Sequence, residues 1–366
     1  MGKFMKKIGV IILTVILFLF VQINFVSCSA SECSKVTEMK LKQYLYNNKI
    51  NGIIIENQNG SKKIIANKIA VSENYNVQAD KYFPIASLQK VLTGVAIYNL
   101  IKENKISLNE PVVNVLKQFK GNDNVTIKQL MMHSSGIVDL GNVPSQALMS
   151  ENKRAAYSLN DYKTTNNYNW LYASSNFELL ANIIRKKSNG SYYLFLNSEI
   201  FKKYRLNEIK YFNQLDYEEV TLPLLNGAGK KETLLEICTL ASIDRNLKDK
   251  IRWYFLEKDL SNCFGAGDIL STPRCYWNFV NKYLLKQSIL LKEWRKYAES
   301  SSHNYFGGIY FDNDYIYASG NMATYNCCFF CSNIKSGKTI MLFANNINYK
   351  KLKRIENNIC HIYFRS

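Results

Sequence analysis

The sequence predicts an α+β fold in which an antiparallel sheet, formed from both chain ends, is flanked by helices and interrupted by a mostly helical inserted subdomain. Three observations predict it: two β-rich runs around residue 60, a long apolar helical segment after them, and four short β-rich runs beyond residue 300. Strands from both ends must meet to complete one sheet. We therefore expect residues 51–366 to form one cooperative domain.

The first two strands are predicted on either side of a turn. The segment NGIIIENQNGSKKIIANKIAVS is rich in β-branched residues and contains Asn57-Gln58-Asn59-Gly60-Ser61, a composition typical of a hairpin turn. Residues 87–104 come next and are nearly all apolar from Val91 to Ile101, which indicates a buried central helix. Residues 29–50, before the first strand, are expected to be an N-terminal linker.

The middle and the end of the chain differ in pattern. Residues 105–300 consist mostly of helical segments and loops, including Phe177 to Lys187 and Pro273 to Leu285. Short β-rich runs separated by Asn, Asp and Gly then predict four strands, at Gly307 to Phe311, Tyr315 to Ala318, Tyr325 to Cys331 and Thr339 to Phe343. Asn348 to Phe364 predicts a closing helix.

Composition and charge narrow the class of protein. The chain has 366 residues, of which 47% are hydrophobic and 21% charged, so it is too apolar for a disordered protein and too long for a disulfide-stapled miniprotein. The net charge of +18 favours an anionic partner, such as nucleic acid, anionic lipid or an anionic wall polymer. Because the chain has no recognised nucleic-acid motif and no block of like charges, we do not expect nucleic acid as a partner.

The first 28 residues predict export. Lys3, Lys6 and Lys7 precede an apolar run from Ile8 to Val21, which is the layout of a signal peptide or a membrane anchor. Val26-Ser27-Cys28 also resembles a bacterial lipoprotein signal, which would attach a lipid to Cys28. Cleavage, lipidation and retention of this leader all stay open. In each case the protein is placed at the extracellular face of the membrane or is secreted.

The cysteines and histidines predict neither a disulfide framework nor a metal site. Cys327 and Cys331 lie in one predicted strand, where their spacing of about 13 Å is too long for a disulfide bond or a shared metal. We expect buried free thiols. The three histidines are scattered along the chain, so no tetrahedral ligand set is expected, and no cofactor is predicted.

A candidate nucleophile begins the apolar helix. In Ser87-Leu88-Gln89-Lys90 the i, i+3 spacing brings the hydroxyl and the amine to one helical face. The helix N-terminus favours an oxyanion beside the serine, and burial makes the neutral, basic form of the lysine more accessible. Ser150-Glu151-Asn152-Lys153 and Ser332-Asn333-Ile334-Lys335 have the same spacing, but we expect them in a polar loop and in a turn between strands.

The alternative Ser-His-Asp triad would need one of three histidines. The chain has no G-x-S-x-G motif to accompany such a triad. His133 closes a predicted helix before a glycine turn, and we interpret it as structural. His303 and His361 are interpreted as surface or packing residues.

The segment from Phe83 to Ile137 resembles the signature region of the β-lactamase-related, penicillin-binding-protein-like serine hydrolases. Gly265-Ala266-Gly267-Asp268-Ile269-Leu270-Ser271-Thr272-Pro273 resembles a further conserved segment of that family, and the similarity extends from Gly52 to Asn346. The resemblance implies a β-lactamase/transpeptidase-like fold. It also implies that Ser87 is the acylated nucleophile and that Lys90 helps to activate it.

The other two family motifs are altered here. The Tyr-x-Asn motif corresponds to Tyr172-Ala173-Ser174, which makes Tyr172 the implied general base or acid and leaves Ser174 to contact the lysine and the substrate. The Lys/His-Thr/Ser-Gly motif corresponds to Ala318-Ser319-Gly320, with Asn321 after it. The resemblance therefore implies that Ser319, Gly320 and Asn321 bind substrate. It also implies that the basic residue, which holds a substrate carboxylate, is missing.

The leading hypothesis is an exported serine hydrolase that acts through a Ser87 acyl-enzyme on D-alanyl esters or peptides of the bacterial cell envelope. Its partner would be peptidoglycan or D-alanylated teichoic acid, with the membrane contacted through the leader or a lipid. Teichoic acid D-alanyl esterases of the same superfamily also lack the basic residue, which favours an ester substrate. The alternatives are β-lactamase or D,D-carboxypeptidase activity, and a catalytically silent envelope-binding module of the same fold.

Overall fold

The structure is a computed structural model, which describes residues 30–58, 61–69, 75–142, 144–188, 190–222, 245–322 and 326–365. The predicted leader and Cys28 lie outside these residues. A seven-stranded antiparallel sheet in the order β2-β1-β12-β11-β10-β9-β8 dominates the fold. Its strands are β1 (Gly52–Gln58), β2 (Ser61–Asn67), β8 (Tyr305–Phe306), β9 (Ile309–Asp312), β10 (Tyr315–Met322), β11 (Asn326–Asn333) and β12 (Thr339–Ala344).

The two ends of the chain meet in the middle of this sheet. β1 pairs with β2 on one side and with β12 on the other, so that Ile55 lies opposite Ile64 and Met341. The prediction of an antiparallel sheet built from both ends is therefore confirmed.

The sheet separates two layers of helices, as the alternation of β1 shows. Ile53 and Ile55 belong to the core beneath the central helix α2 (Gln89–Lys102), whereas Ile54 faces the opposite layer. That opposite layer contains helices α1 (Ala30–Asn47) and α11 (Tyr349–Phe364). Since successive strand side chains point to opposite faces, one apolar run serves both cores.

The segment before β1 is helical where we expected a linker. Helix α1 buries Leu41 and Leu45 completely against the sheet and against α11. Lys63 on β2 donates hydrogen bonds to Ser34 and Glu38 of α1, at 2.8 and 3.1 Å. Residues 30–47 are therefore part of the folded unit. Their apolar residues are too sparse for a strong helical periodicity, and the sheet supplies the missing packing.

The middle of the chain is mostly helical, as predicted, and covers the α2 side of the sheet. Its helices are α3 (Val112–Val115), α4 (Ile127–Met131), α5 (Glu151–Ser158), α6 (Ser174–Lys187), α7 (Tyr192–Leu196), α8 (Arg245–Ser261), α9 (Pro273–Asn278) and α10 (Ser288–Glu299). Two small antiparallel sheets interrupt it, and the sequence did not predict either of them. They are formed by β3 (Phe83–Pro84), β7 (Ile269–Ser271) and β6 (Ile209–Tyr211), and by β4 (Ile137–Asp139) and β5 (Tyr162–Thr164).

The described thiols form no disulfide, and two of them are in contact. Cys331 on β11 shares a hydrogen bond with Cys360 of α11, while Cys327 and Cys328 lie fully buried within the sheet. Among the described helices, none combines the length and the hydropathy that a membrane span needs. The same part of the chain has no group of three or more His, Cys, Asp or Glu side chains placed to bind a metal ion.

Candidate active site

Ser87 lies on a strained turn that leads into the central helix. The chain leaves β3 at Ile85, and Ala86 adopts a φ of 47° in the left-handed region, which is unfavourable for a residue with a Cβ atom. A single 3₁₀ turn, Ala86–Leu88, then carries the serine into α2. Backbone strain of this kind persists where the surroundings enforce it, often at functional sites.

Lys90 lies directly beneath the serine and is only 1% exposed. Its Nζ atom donates hydrogen bonds to Ser87 Oγ at 3.0 Å, to Ser174 Oγ at 3.3 Å and to the Ala266 carbonyl at 3.1 Å. An ammonium group has three protons to donate, and here each of them has an oxygen acceptor. The geometry therefore holds the Lys90 side chain in a fixed position beside the Ser87 hydroxyl.

Tyr172 approaches the serine from the opposite side. Its hydroxyl donates a hydrogen bond to Ser87 Oγ at 2.9 Å, and its ring centroid lies 5.2 Å from Lys90 Nζ. The side chain is 38% exposed, so it faces the solvent. The structure thus brings together the three residues that the sequence singled out for catalysis.

Ser174 is the first residue of α6, and a carboxylate fixes this end of the helix. Asp139, at the end of β4, accepts hydrogen bonds from the backbone N–H groups of Ser174 and Ser175 at 2.8 and 2.9 Å. The carboxylate satisfies N–H groups that a helix N-terminus otherwise leaves unpaired, and its charge is favourable there. Sequence reasoning missed Asp139, because no local pattern connects it with a helix 35 residues later.

His133 packs against the ring of Tyr172. The centroids of the His133 and Tyr172 rings are 4.5 Å apart, and His133 Nδ1 accepts a hydrogen bond from the Ala173 N–H at 3.3 Å. Burial and the nearby Lys90 ammonium lower the pKa of His133 well below its usual value, so the ring is neutral. With Nδ1 as the acceptor, the proton is on Nε2, which donates to the Tyr305 hydroxyl at 3.2 Å.

Strand β10 passes very close to the serine turn at Gly320. A Cβ atom added there would lie 2.7 Å from the Ile85 carbonyl oxygen and 2.9 Å from the Ser87 nitrogen. Only glycine allows this approach of two backbones. The predicted strand Tyr315 to Ala318 therefore continues to Met322, which brings Gly320 and Asn321 to the site.

The third motif is divided between the two faces of β10. The side chain of Ser319 forms a hydrogen bond with Glu356 of α11, on the face opposite Gly320. Ala318 is buried within the main core on the α2 side of the sheet. We predicted that Ser319 binds substrate, but its hydroxyl is directed away from Ser87. Asn321 is exposed and lines the cavity described next.

The serine opens into a cavity of about 390 Å³. Its walls come from the serine turn, the start of α6, the end of α8, the following loop and the end of β10. The lining residues are Ala86, Ser87, Tyr172, Ser174, Asp259, Asn262, Cys263, Ala266, Gly267, Asn321 and Met322.

A buried network holds the loop that supplies the Ala266 carbonyl. Asp268 accepts hydrogen bonds from Gln89 Nε2 at 2.7 Å and from the Gly265 N–H at 3.0 Å, and it is paired with Arg154 at 3.2 Å. Burial raises the pKa of Asp268 to about 6 in spite of Arg154. The sequence analysis singled out the segment from Gly265 to Pro273. It did not predict that the Ala266 carbonyl accepts a hydrogen bond from Lys90, because that contact depends on the packing of distant segments.

The two competing serine-lysine pairs lie elsewhere. The prediction of a polar loop at Ser150 is wrong, because Ser150 caps α5 by accepting a hydrogen bond from the Lys153 N–H. The Lys153 side chain is nevertheless exposed. Lys335 is in a turn after β11, and its ammonium pairs with Asp314 at 3.0 Å. Lys153 and Lys335 are both exposed, whereas Lys90 is buried beneath Ser87.

Comparison with known proteins gives consistent matches. The relative named "Putative penicillin-binding protein PbpX" from Bacillus subtilis (strain 168) is 25% identical over 346 residues, 89% of this chain and 81% of that protein. The teichoic acid D-alanine hydrolase of Staphylococcus aureus (strain MRSA252) is 26% identical over 249 residues, 64% of this chain but only 54% of that protein. The crystal structure of FmtA from Staphylococcus aureus shares the fold with a TM-score of 0.66 at 19% identity, covering 89% of this chain and 87% of that chain.

A family model described as Beta-lactamase matches residues 42–308, which is well over half of the sequence. The match includes the serine turn, Lys90, Tyr172 and the loop that carries Ala266. The chain therefore belongs to the Beta-lactamase family of serine hydrolases.

Proposed function

We propose that the protein is an exported hydrolase that forms an acyl-enzyme on Ser87 and acts on D-alanyl groups of the bacterial cell envelope. The observation that carries this proposal is the placement of Ser87 Oγ between Lys90 Nζ at 3.0 Å and Tyr172 OH at 2.9 Å. A hydroxyl held between a buried cation and a phenol has the two partners that nucleophilic activation needs.

In the proposed reaction, Tyr172 acts as the base and Lys90 as the fixed cation. Deprotonated Tyr172 takes the proton from Ser87 as the oxygen attacks the substrate carbonyl, while the hydrogen bond from Lys90 Nζ holds the Ser87 oxygen in place. The N–H groups of Ser87 and Asn321 receive the developing oxyanion. Tyr172 then gives its proton to the leaving oxygen or nitrogen, and water releases the acyl group from Ser87 by the reverse sequence.

An ester is the preferred substrate class over a β-lactam or a peptide with a free terminal carboxylate. In the related enzymes the basic residue of the third motif holds that carboxylate, and here Ala318 occupies its position. The similarity to a teichoic acid D-alanine hydrolase supports the same choice. β-Lactamase or D,D-carboxypeptidase activity is the alternative within the family.

The partner is proposed to be a cell-envelope polymer, either D-alanylated teichoic acid or peptidoglycan. The net charge of +18 suits a polyanionic polymer, because the negative charges of the polymer attract a basic protein before the two are in contact. The basic and apolar pattern of residues 1–28 supports export to the outer face of the membrane, with Cys28 as the candidate lipid attachment site.

The test is the intact mass of a leaderless protein after reaction with a fluorophosphonate probe, alongside its Ser87→Ala variant. We expect one adduct on the wild type and none on the variant. D-Alanine release from D-alanylated teichoic acid and from wall pentapeptide then separates esterase from peptidase activity. A folded wild-type protein without an adduct would overturn the proposal and favour the silent envelope-binding module.

A further inference from the structure

Resting on the proposed function, we propose that Asp259 binds the free α-ammonium group of the substrate. The enzyme would then select aminoacyl esters, in which that amine is charged, over N-acylated esters and peptides. Asp259 is on α8, outside every motif considered above, and it lines the same cavity as Ser87, Tyr172 and Asn321.

The charge of the cavity supports this assignment. Asp259 is the one residue with a charged side chain among those found to line the cavity in the described part of the chain. The Lys90 ammonium lies below the cavity, is 1% exposed and already donates to three oxygens. A carboxylate in a concave site concentrates positive charge, because the surrounding protein screens its field less than water does.

A second acceptor lies one helical turn further along. Asn262 lines the same cavity, and its Nδ2 donates a hydrogen bond to the Asn142 carbonyl at 2.7 Å. This bond leaves Asn262 Oδ1 buried without a hydrogen-bond partner in the described part of the chain. An unpaired buried acceptor is unfavourable unless a donor meets it. An ammonium group has three donors, so it can contact the Asp259 carboxylate and also donate to Asn262 Oδ1.

The chemistry of the two candidate substrates separates them at this point. In a D-alanyl ester the amine is free and lies two bonds from the carbonyl that Ser87 attacks. In a wall peptide the corresponding nitrogen is acylated and neutral, and the charged group at the far end is a carboxylate. The cavity offers a carboxylate to the first substrate and repels the second.

Charge acts on two length scales in this arrangement. The whole molecule is strongly basic, at +18, which attracts an anionic polymer from a distance. The cavity wall is locally acidic at Asp259. A phosphate-linked polymer that carries cationic aminoacyl groups has the complementary charges. Its anionic backbone would lie along the basic protein surface, and its ammonium group would enter the cavity beside Asp259.

The experiment compares a D-alanyl ester with its N-acetyl counterpart, both with the same leaving group. We expect the wild type to prefer the free amine, and Asp259→Asn to lower kcat/KM for that ester by about 10- to 100-fold. Turnover of the N-acetyl ester should stay within about twofold, which shows that the acylation machinery is intact. Glu257→Gln is the matched control, because it removes a carboxylate from the same helix without lining the cavity.

The outcomes distinguish this inference from the proposed function. If the wild type hydrolyses both esters equally, or if Asp259→Asn slows both equally, the inference is overturned while the acyl-enzyme proposal stands. If the wild type hydrolyses neither ester and forms no fluorophosphonate adduct, the proposed function fails and the inference with it. Loss of activity through misfolding is recognised by a lower melting temperature and by slower turnover of the N-acetyl ester.

Discussion

Replacing Gly320 by alanine tests the geometry of the site most directly. The added Cβ atom would lie 2.7 Å from the Ile85 carbonyl oxygen, 2.9 Å from the Ser87 nitrogen and 3.1 Å from the Ala86 Cβ. Ordinary contacts begin at 3.4 Å, so the strand and the serine turn must separate by about 0.5 to 0.7 Å. Two of the three neighbours are backbone atoms, which cannot rotate out of the way.

The expected effect on activity is larger than the effect on stability. Overpacking of this size costs about 1–3 kcal/mol, which a domain of this size tolerates. The displacement, however, lies between the N–H groups of Ser87 and Asn321, which are proposed to bind the oxyanion together. Removal of one such donor typically lowers kcat by about 10²- to 10³-fold, and we expect a loss of that order.

The assay is kcat/KM on a D-alanyl ester, combined with the rate of fluorophosphonate labelling. Gly337→Ala is the control, because Gly337 is in a turn far along the chain with a φ of 70° and no neighbour within 4 Å of an added Cβ atom. That variant should lose about 1–2 kcal/mol of stability and keep its activity. Full activity of Gly320→Ala, at unchanged stability, would refute the close approach and the proposed oxyanion site.

Three further predictions concern other parts of the molecule. Tyr172→Phe should lower kcat by about 10²- to 10⁴-fold without changing the melting temperature, and an unchanged rate would transfer the base role to Lys90. Burial raises the pKa of Glu56 on β1 from 4.5 to about 7. Between these two pH values the Glu56 carboxyl ionises in the unfolded chain but stays protonated in the folded protein, so the free energy of unfolding falls as the pH rises. Glu56→Gln should remove this slope in urea unfolding and add as much as about 3 kcal/mol at pH 8. Arg154→Met should cost about 3–5 kcal/mol, because it leaves Asp268 buried and unpaired, and adding Asp268→Asn should recover much of that loss.

The large sheet could be predicted because its information is local. The run of Ile residues in β1, the alternation in β10 and the continuous apolar run in β11 mark strands by composition, and the antiparallel pairing of β10 with β11 follows from the turn between them. The buried helix α2 could also be predicted, because its residues from Val91 to Ile97 are nearly all apolar. The structure buries each of them fully or almost fully. The Ser87 and Lys90 pair was found from its helical spacing together with its position at the start of the apolar helix, since two other pairs have the same spacing.

The rest of the site depends on contacts between distant segments. Asp139 reaches the start of α6 and Ala266 reaches Lys90 only after the fold is complete, so neither has a signal in its own neighbourhood. Ser319 illustrates the opposite error. The motif suggested a role in substrate binding, but the strand alternation directs its hydroxyl to Glu356. A short motif identifies a strand more reliably than the face on which each of its side chains lies.

The pairing of β1 with β12 has a consequence for biosynthesis. β1 is near the N-terminal side of the domain, and it forms hydrogen bonds with a strand that a ribosome or a translocation channel releases nearly 300 residues later. The seven-stranded sheet is therefore complete only after residues 339–344 have been released. Ser87 emerges early, whereas Gly320 and Asn321 emerge late, so a partly synthesised chain contains the proposed nucleophile without the Asn321 N–H that is proposed to bind the oxyanion. On the proposed mechanism, catalytic competence therefore arises only once β10 has joined the sheet beside the serine turn.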